Sequence, residues 1–468
     1  MKKKKLILVI VAAVLIAALA GFGWYRSAHV FVEGTAYPKD SQTIDLAEGI
    51  GQAHYTELKN QLPDCRITWQ VPFQGGYVAS DAETVTVSHL EEADLEALAC
   101  LEALKTVDGS GCQDVSALAK LQRENPGLDV IYTVTIGGVS VSSREDALTL
   151  ENPATAELVQ TIPNLPKLKK LHLTEPEGEA EDLTLLRQTC PDTDITWEKT
   201  VFDQTFRDDV AEIDLSALAL DNAEIMESSM AWFPGLDLVY FGEVSVDNDT
   251  MAAYRERQAE NYKVVWDVRL NYYIAIRSDA EYFMPIKFYH TVVDRDLVNL
   301  KYFNDMITLD VGHMPITHCE WLRNMPKLQY LILADTEVSD LSPVSTLKDL
   351  IFFEVFDTPV RDYTPLLECK NLRDLNICWT SADPEVMAQM TWLKNLWWWG
   401  NMDHDLTDAE KSLVTESLPD TKVVFVTQSS TGGGWRKLDN YYKMRDNLGM
   451  PYFSQLNPDD PTQPVTGG

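Results

Sequence analysis

Between Met306 and Asn401 the chain restarts one apolar pattern at Met306, Leu328, Leu350, Leu372 and Leu393, intervals of 22, 22, 22 and 21 residues. In the clearest copies Leu328, Leu331, Leu333, Thr336, Val338, Leu341, Val344 and Leu347 are answered by Leu350, Phe353, Val355, Thr358, Val360, Tyr363, Leu366 and Cys369. The shared form is LxxLxLxxTxV followed by a sparser apolar half. A unit this short cannot close a core alone. Its apolar side is buried only by stacking on its neighbours, so the pattern predicts a solenoid whose strand face is available to a partner. Ordinary α/β periodicity is the competing account, and four near-constant intervals argue against it.

The pattern resembles the leucine-rich repeat family, most closely the short 22-residue class found on bacterial surface proteins. Thr336, Thr358 and Thr380 stand where many members carry Asn, and the Asp340-Leu341-Ser342-Pro343 turn also resembles that class. A Thr hydroxyl can bond the turn backbone as an amide does, so the fold is expected without a full asparagine ladder. The resemblance covers residues 306–401, about one fifth of the 468 residues. It implies binding rather than catalysis.

A longer period precedes the short one. Ile67-Thr68-Trp69, Val130-Ile131-Tyr132 and Ile195-Thr196-Trp197 follow Pro63, Pro126 and Pro191. Val264-Val265-Trp266 repeats the motif without the proline, and Val423-Val424-Phe425 recurs after Pro419. Spacings of 63, 65 and 69 residues separate Trp69, Tyr132, Trp197 and Trp266. Gly137-Gly138 splits Ile131 to Val141 into two alternating runs, which reads as a hairpin. Leu101, Leu104 and Val107, then Leu168, Leu171 and Leu173, supply strand starts like those of the short repeats. Each long unit, about 64 residues, is therefore expected to hold three strands joined by helices or turns. Residues 40–300 are either a divergent solenoid continuous with 306–401 or a tandem of small α/β modules decorated with hairpins. Ser228 to Lys301 reads as an insertion or a junction. Residues 402–453 read as a C-terminal cap, with a helix over Asp405 to Leu418, a strand over Thr421 to Thr427 and a second helix from Trp435 to Leu448. The composition of residues 454–468 is that of a disordered tail.

At the other end, Lys2 to Lys5 precede the uncharged, mostly apolar stretch Leu6 to Tyr25. Twenty residues at about 1.5 Å each just span a bilayer core of about 30 Å. Residues 1–5 then form a cytoplasmic flank and 6–25 a single-pass transmembrane signal anchor, with the bulk of the chain extracellular. Cleavage after the small residues near Ala20, giving a secreted protein, is the alternative. The expected fold class is thus an α/β leucine-rich repeat solenoid with degenerate longer N-terminal repeats, following a transmembrane helix.

A formal charge of −33, from 72 acidic and 39 basic residues, argues against nucleic acid and anionic lipid as partners. No CxxC pair occurs among the seven cysteines, so zinc and redox-pair readings have no support. Asp247-Asn248-Asp249 lacks the rest of a calcium loop. No cofactor or metal is expected. No GxSxG, HExxH or phosphate-cradling glycine loop is present, and His313, His318, Asp310 and Cys319 read as structural. The chain is therefore not expected to be an enzyme. The alternative is a cell-envelope hydrolase whose catalytic unit lies at about residues 200–300, with the repeats as a targeting module.

Strand alternation identifies the partner face. With the leucines of LxxLxLxxT inward, repeat positions 2, 3, 5, 7 and 8 point outward. Position 3 gives Thr308, Tyr330, Phe352, Asp374 and Asn395, and position 5 gives Asp310, Ile332, Glu354, Asn376 and Trp397. Rings supply contact area at small entropic cost and carboxylates set orientation. The expected binding patch for a protein or glycan is Tyr330, Phe352, Phe356, Trp379, Trp397 and Trp399 with Asp335, Glu354 and Asp357. A C-terminal cap folded over Trp397 to Trp399 is the competing expectation.

Overall fold

The computed structural model describes residues 15, 21, 23–285, 291–399, 405–425, 429–450, 456–457 and 460–464. The chain divides after Asp208 into two compact units. Most of the apolar stretch 6–25 lies outside the described residues. Among those described, no helix is long and apolar enough to cross a membrane.

In the first unit short parallel strands alternate with helices. Thr43–Asp45 pairs with Arg66–Thr68, Thr84–Thr86 leads to Thr106–Asp108 and Asp129–Ile131, and Ala147–Glu151 leads to Lys170–Thr174 and Asp194–Val201. The returns are helical because apolar residues recur at helical spacing, in two cases behind a capping side chain, Glu91 or Asp114. In Val115–Glu124, Asp114 accepts the Ala117 N–H at 3.0 Å while Leu118 and Leu121 are buried. Pro126 prevents continuation. After the last parallel strand of each set, the second in the first set and the third in the other two, the chain turns out into an antiparallel hairpin: Gln70–Phe73 with Gly76–Ala79, Thr133–Ile136 with Val139–Ser142, and residues 198–201 with Gln204–Arg207.

The base of each hairpin is built one way. The N–H of Trp69 donates to Ser80 Oγ at 2.9 Å, that of Tyr132 to Ser143 Oγ at 3.0 Å, and that of Trp197 to Asp208 Oδ1 at 2.9 Å. The amide of the serine or aspartate returns a bond to the carbonyl of the aromatic. These polar side chains are buried, and they recur with the aromatics as part of the long period. Replacing Ser143 by Ala leaves the Tyr132 N–H without its buried acceptor, which should cost about 1–3 kcal/mol. Hydrogen exchange at Tyr132 is the measurement; unchanged protection would show that the serine is not what secures the hairpin.

The second unit begins with a further copy of the long repeat. Glu212–Asp214, Leu238–Tyr240 and Lys263–Val265 form a parallel sheet, followed by the hairpin Asp267–Arg269 with Ala275–Arg277. Trp266 N–H donates to Ser278 Oγ at 3.2 Å, the same hairpin base again. Much of the segment from Ser228 to Lys301 is thus repeat rather than insertion; its tyrosines and arginine obscured the pattern. Arg277 lies over the Tyr240 ring, and Tyr254 is fully buried. Asp247 caps the helix Asn248–Gln258 by accepting the Thr250 N–H.

A seven-stranded parallel sheet follows, in chain order: Tyr282–Phe283, Thr308–Asp310, Tyr330–Ile332, Phe352–Glu354, Asp374–Asn376, Asn395–Trp398 and Lys422–Phe425. Leu309, Leu331, Phe353, Leu375 and Leu396 stack in register and are buried. The returns are short 3-10 turns at Glu320–Asn324, Ser342–Thr346 and Thr364–Glu368. Thr336, Thr358 and Thr380 donate to the carbonyls of Leu333, Val355 and Ile377 at 2.7, 2.9 and 2.8 Å, so a threonine column secures the turns. Asp340 accepts from the amide and hydroxyl of Ser342.

Beyond the short repeats, Asp408–Ser417 opens with a capping box from Thr407 and Glu410, and Lys422–Phe425 adds the last strand. Trp435–Lys437 and Asp439–Asn447 are helical. Of the tail, Leu456–Asn457 and Asp460–Pro464 pair antiparallel, and the rest lies outside the described residues. All seven cysteines are free thiols, and Cys319 and Cys369 are buried within the repeats.

Candidate functional site

The strand register aligns the expected columns. Thr308, Tyr330, Phe352, Asp374 and Asn395 stand side by side, as do Asp310, Ile332, Glu354, Asn376 and Trp397. Much of this face is covered by the chain itself. Trp435 is fully buried against Phe352 and Trp397, with ring centroids 5.0 and 5.3 Å away, and Tyr441 lies 6.3 Å from Phe352. Met444 and Leu448 complete the apolar layer.

Polar contacts fix the covering segment along the sheet. Asn376 donates to the Ser430 carbonyl at 2.9 Å and Trp397 Nε1 to the Gly432 carbonyl at 2.6 Å. Asn440 donates to Asp374 at 2.9 Å and Asn447 to Thr308 Oγ1 at 2.8 Å. Gly433, at φ 63°, leaves no room for a side chain, since a Cβ there would lie 2.9 Å from Val424 Cγ1. The segment read as a cap over the solenoid end therefore lies across its strand face. The apolar stripe of Asp439–Asn447 finds its complement in the aromatic columns, while Asp408–Ser417 and Lys422–Phe425 continue the coils.

This corrects the expected patch for five residues. Tyr330, Phe352, Phe356, Glu354 and Trp397 are buried and do not project into solvent. Trp379 and Trp399 are half-buried, whereas Asp335 and Asp357 are exposed. The Trp379 and Trp399 rings lie 4.7 Å apart, with Phe356 edge-on to Trp379 at 6.3 Å. His313, Asp335, Asp357 and Trp379 each lie three residues past the end of their strand with positive φ, between 54° and 62°. A tryptophan is held there at a cost of about 1–2 kcal/mol, against the preference for Gly or Asn. The group His313, His318, Asp310 and Cys319 does not converge on one centre. His313 bonds Asp335 at 2.7 Å, His318 lies 3.5 Å from Asp294, and the Cys319 thiol faces the Asp340 carbonyl.

Between the face and the covering segment lies a cavity of about 190 Å³. Asp310, Glu354, Arg436 and Arg445 line it together with His313, Phe356, Tyr441 and methionines 284, 314, 444 and 450. Burial pushes the Glu354 carboxyl up to about 7; Asp310 pushes the same way, and the Trp435 indole, Arg436 and His313 oppose. Asp310 is pushed up to about 6 by burial, against the Gly312 N–H and the positive side of His313 and Arg445. Asp310 is enclosed by protein yet keeps an edge on the cavity, which accounts for its partial exposure. Burial also raises Asp374, against its bonds from Asn395 and Asn440.

Arg436 and Arg445 were not singled out by the sequence. One signal was legible: Arg445 falls on the apolar stripe of its helix, at helical spacing from Tyr441 and Leu448. A guanidinium buried there needs acidic surroundings, and position 5 of the repeats carries Asp310 and Glu354.

No family model matches the chain, and no curated protein matches it. Among solved structures it is similar to internalin C2 of Listeria monocytogenes, with 14% identity, 49% of this chain and 88% of that one covered, and a TM-score of 0.26. An internalin of the same organism gives 14% identity over 76% and 91%, TM-score 0.26, and a leucine-rich repeat protein of Leptospira interrogans gives 12% over 72% and 93%, TM-score 0.25. The leucine-rich repeat reading of residues 306–401 rests on this chain's own strand register and threonine column.

Proposed function

We propose that this chain is a membrane-anchored extracellular repeat protein that binds a protein or glycan partner at the rim of its strand face. The observation that carries the reading is the half-buried pair Trp379 and Trp399 beside the exposed carboxylates Asp335 and Asp357. Adjacent rings with carboxylates at their edge supply contact area and orientation for an extended peptide or a sugar. The anchor rests on the lysine-flanked stretch 6–25, and the net charge of −33 suits a solvated exterior surface. The hydrolase alternative placed its catalytic unit at residues 200–300, where much of the chain forms repeat strands, helices and hairpins.

The test is to probe glycan and protein arrays with the detergent-solubilised full chain, and then with Trp379→Ala/Trp399→Ala. The double variant should bind any captured partner at least about tenfold more weakly. Equal affinity would remove the rim from the site. N-terminal sequencing of the mature protein separates the retained anchor from cleavage near Ala20.

A further inference from the structure

Away from the strand face, the first two returns of the seven-stranded sheet leave a pocket of about 380 Å³ between them. One return is Asp294–Leu297 with Val298–Tyr302, the other Glu320–Asn324. Val298, Trp321 and the methylene stems of Arg295 and Lys301 give the pocket a largely apolar wall. Val298 is 56% exposed, although Leu297 and Leu300 beside it are fully buried. The volume falls within the range of roughly 300–1,000 Å³ usual for small-molecule sites.

The charges around this pocket are already paired within the chain. Asp294 accepts the N–H and hydroxyl of Thr317 at 2.8 and 2.7 Å and the His318 N–H at 3.2 Å. Glu320 is held by Arg323 at 2.7 Å, Lys301 donates to Asp249 at 3.1 Å, and Arg295 lies 3.6 Å from Asp296. A charged ligand would have to break one of these pairs, whereas an uncharged one leaves all of them in place. One donor is left over. Trp321 is 6% exposed, and its indole N–H makes no hydrogen bond among the described residues. Unlike the indole N–H groups of Trp392 and Trp435 it is not sealed from solvent, and its outlet is the pocket that the ring lines. An indole nitrogen only donates, so what it takes is an acceptor. A hydrogen bond made there gains strength from the apolar wall around it.

We propose that this pocket binds a small uncharged organic molecule whose apolar body carries one carbonyl acceptor. The body lies against Val298 and the Trp321 ring, and the carbonyl oxygen accepts the Trp321 indole N–H. Neutral amides, esters and ketones belong to this class; free acids and amines do not. The pocket shares no residue with the Trp379 and Trp399 pair, so it stands or falls apart from the partner surface proposed above.

The experiment is calorimetry and ligand-observed magnetic resonance on the full chain in detergent, with N-methylbenzamide as the probe. Benzoate and N-methylbenzylammonium, of similar shape, carry a charge in place of the neutral amide. N-methylbenzamide should bind saturably at about 1 mM or tighter, the scale expected of so small a molecule. Each charged probe should bind at least about tenfold more weakly. Trp321→Phe keeps an aromatic ring and removes the N–H, and should weaken N-methylbenzamide by about fivefold. Val298→Asp, at an exposed position, should abolish binding, and it also controls for uptake of the probe by detergent. The proposal is overturned if N-methylbenzamide does not bind, if either charged probe binds as tightly, or if either variant binds as the wild type does. Should Trp321→Phe fail to fold, the charged probes and Val298→Asp decide the matter alone.

Discussion

Trp435→Ala should cost the second unit about 3–5 kcal/mol, the range for truncating a fully buried aromatic. The indole fills the space between Phe352 and Trp397 and has no exposed surface. Removing it leaves a cavity between the strand face and the segment that covers it. The helix is then held by what remains of the Tyr441, Met444 and Leu448 packing and by single hydrogen bonds from Asn440 and Asn447, each worth about 1 kcal/mol net. Two measurements follow the effect: denaturant unfolding, and hydrogen exchange of the Asp439–Asn447 amides. Exchange there should rise more than in the strands Thr308–Asp310 and Tyr330–Ile332. A dye specific for exposed apolar surface should bind as the aromatic columns are uncovered. Uniform loss of protection across sheet and helix would mean that the covering segment is an inseparable part of the core.

The second large effect is one of pH. Glu354 has its folded pKa raised to about 7 from an ordinary 4.5. Between those values the folded protein holds a proton that the unfolded chain has released, so stability falls as pH rises from about 4.5 and levels off above about 7. Glu354→Gln removes the titration while keeping the shape. The variant should match the wild type near pH 4.5 and exceed it at pH 8 by up to about 3 kcal/mol. Asp310, raised to about 6, adds the same sign and remains in both proteins. Paired urea titrations at the two pH values give the difference. A gap that is constant with pH, or that closes as pH rises, contradicts the burial of a protonated carboxyl. The opposite sign is expected of Asp129, lowered to about 2 chiefly by Arg144 and then Lys167, whose stabilisation is lost as acid protonates it.

The short repeats were readable because each restates one local rule. Leucines two apart make an inward column, and the register of Leu309, Leu331, Phe353, Leu375 and Leu396 follows from it directly. The long repeats were readable by their aromatics. Their polar partners Ser80, Ser143, Asp208 and Ser278 stayed unnoticed, because small polar residues carry no hydrophobic periodicity. The columns of the strand face were also correct as a list of neighbours. What failed was their assignment to solvent: Tyr330, Phe352, Phe356, Glu354 and Trp397 lie under residues more than thirty positions further along the chain.

Periodicity by itself determined that the chain builds parallel strands at a spacing of 22 residues and which side chains share each column, because stacking is a relation between identical neighbours. Only the tertiary structure decided that the aromatic columns are covered, that Asp310 and Glu354 meet Arg436 and Arg445, and that Trp379 and Trp399 remain at the rim. Those outcomes come from one non-repeating segment, residues 430–448, whose helix Asp439–Asn447 is laid across a repeating surface. A face made of rings offers it more apolar area to bury than solvent would leave exposed, and no pattern within the repeats encodes where that helix lands.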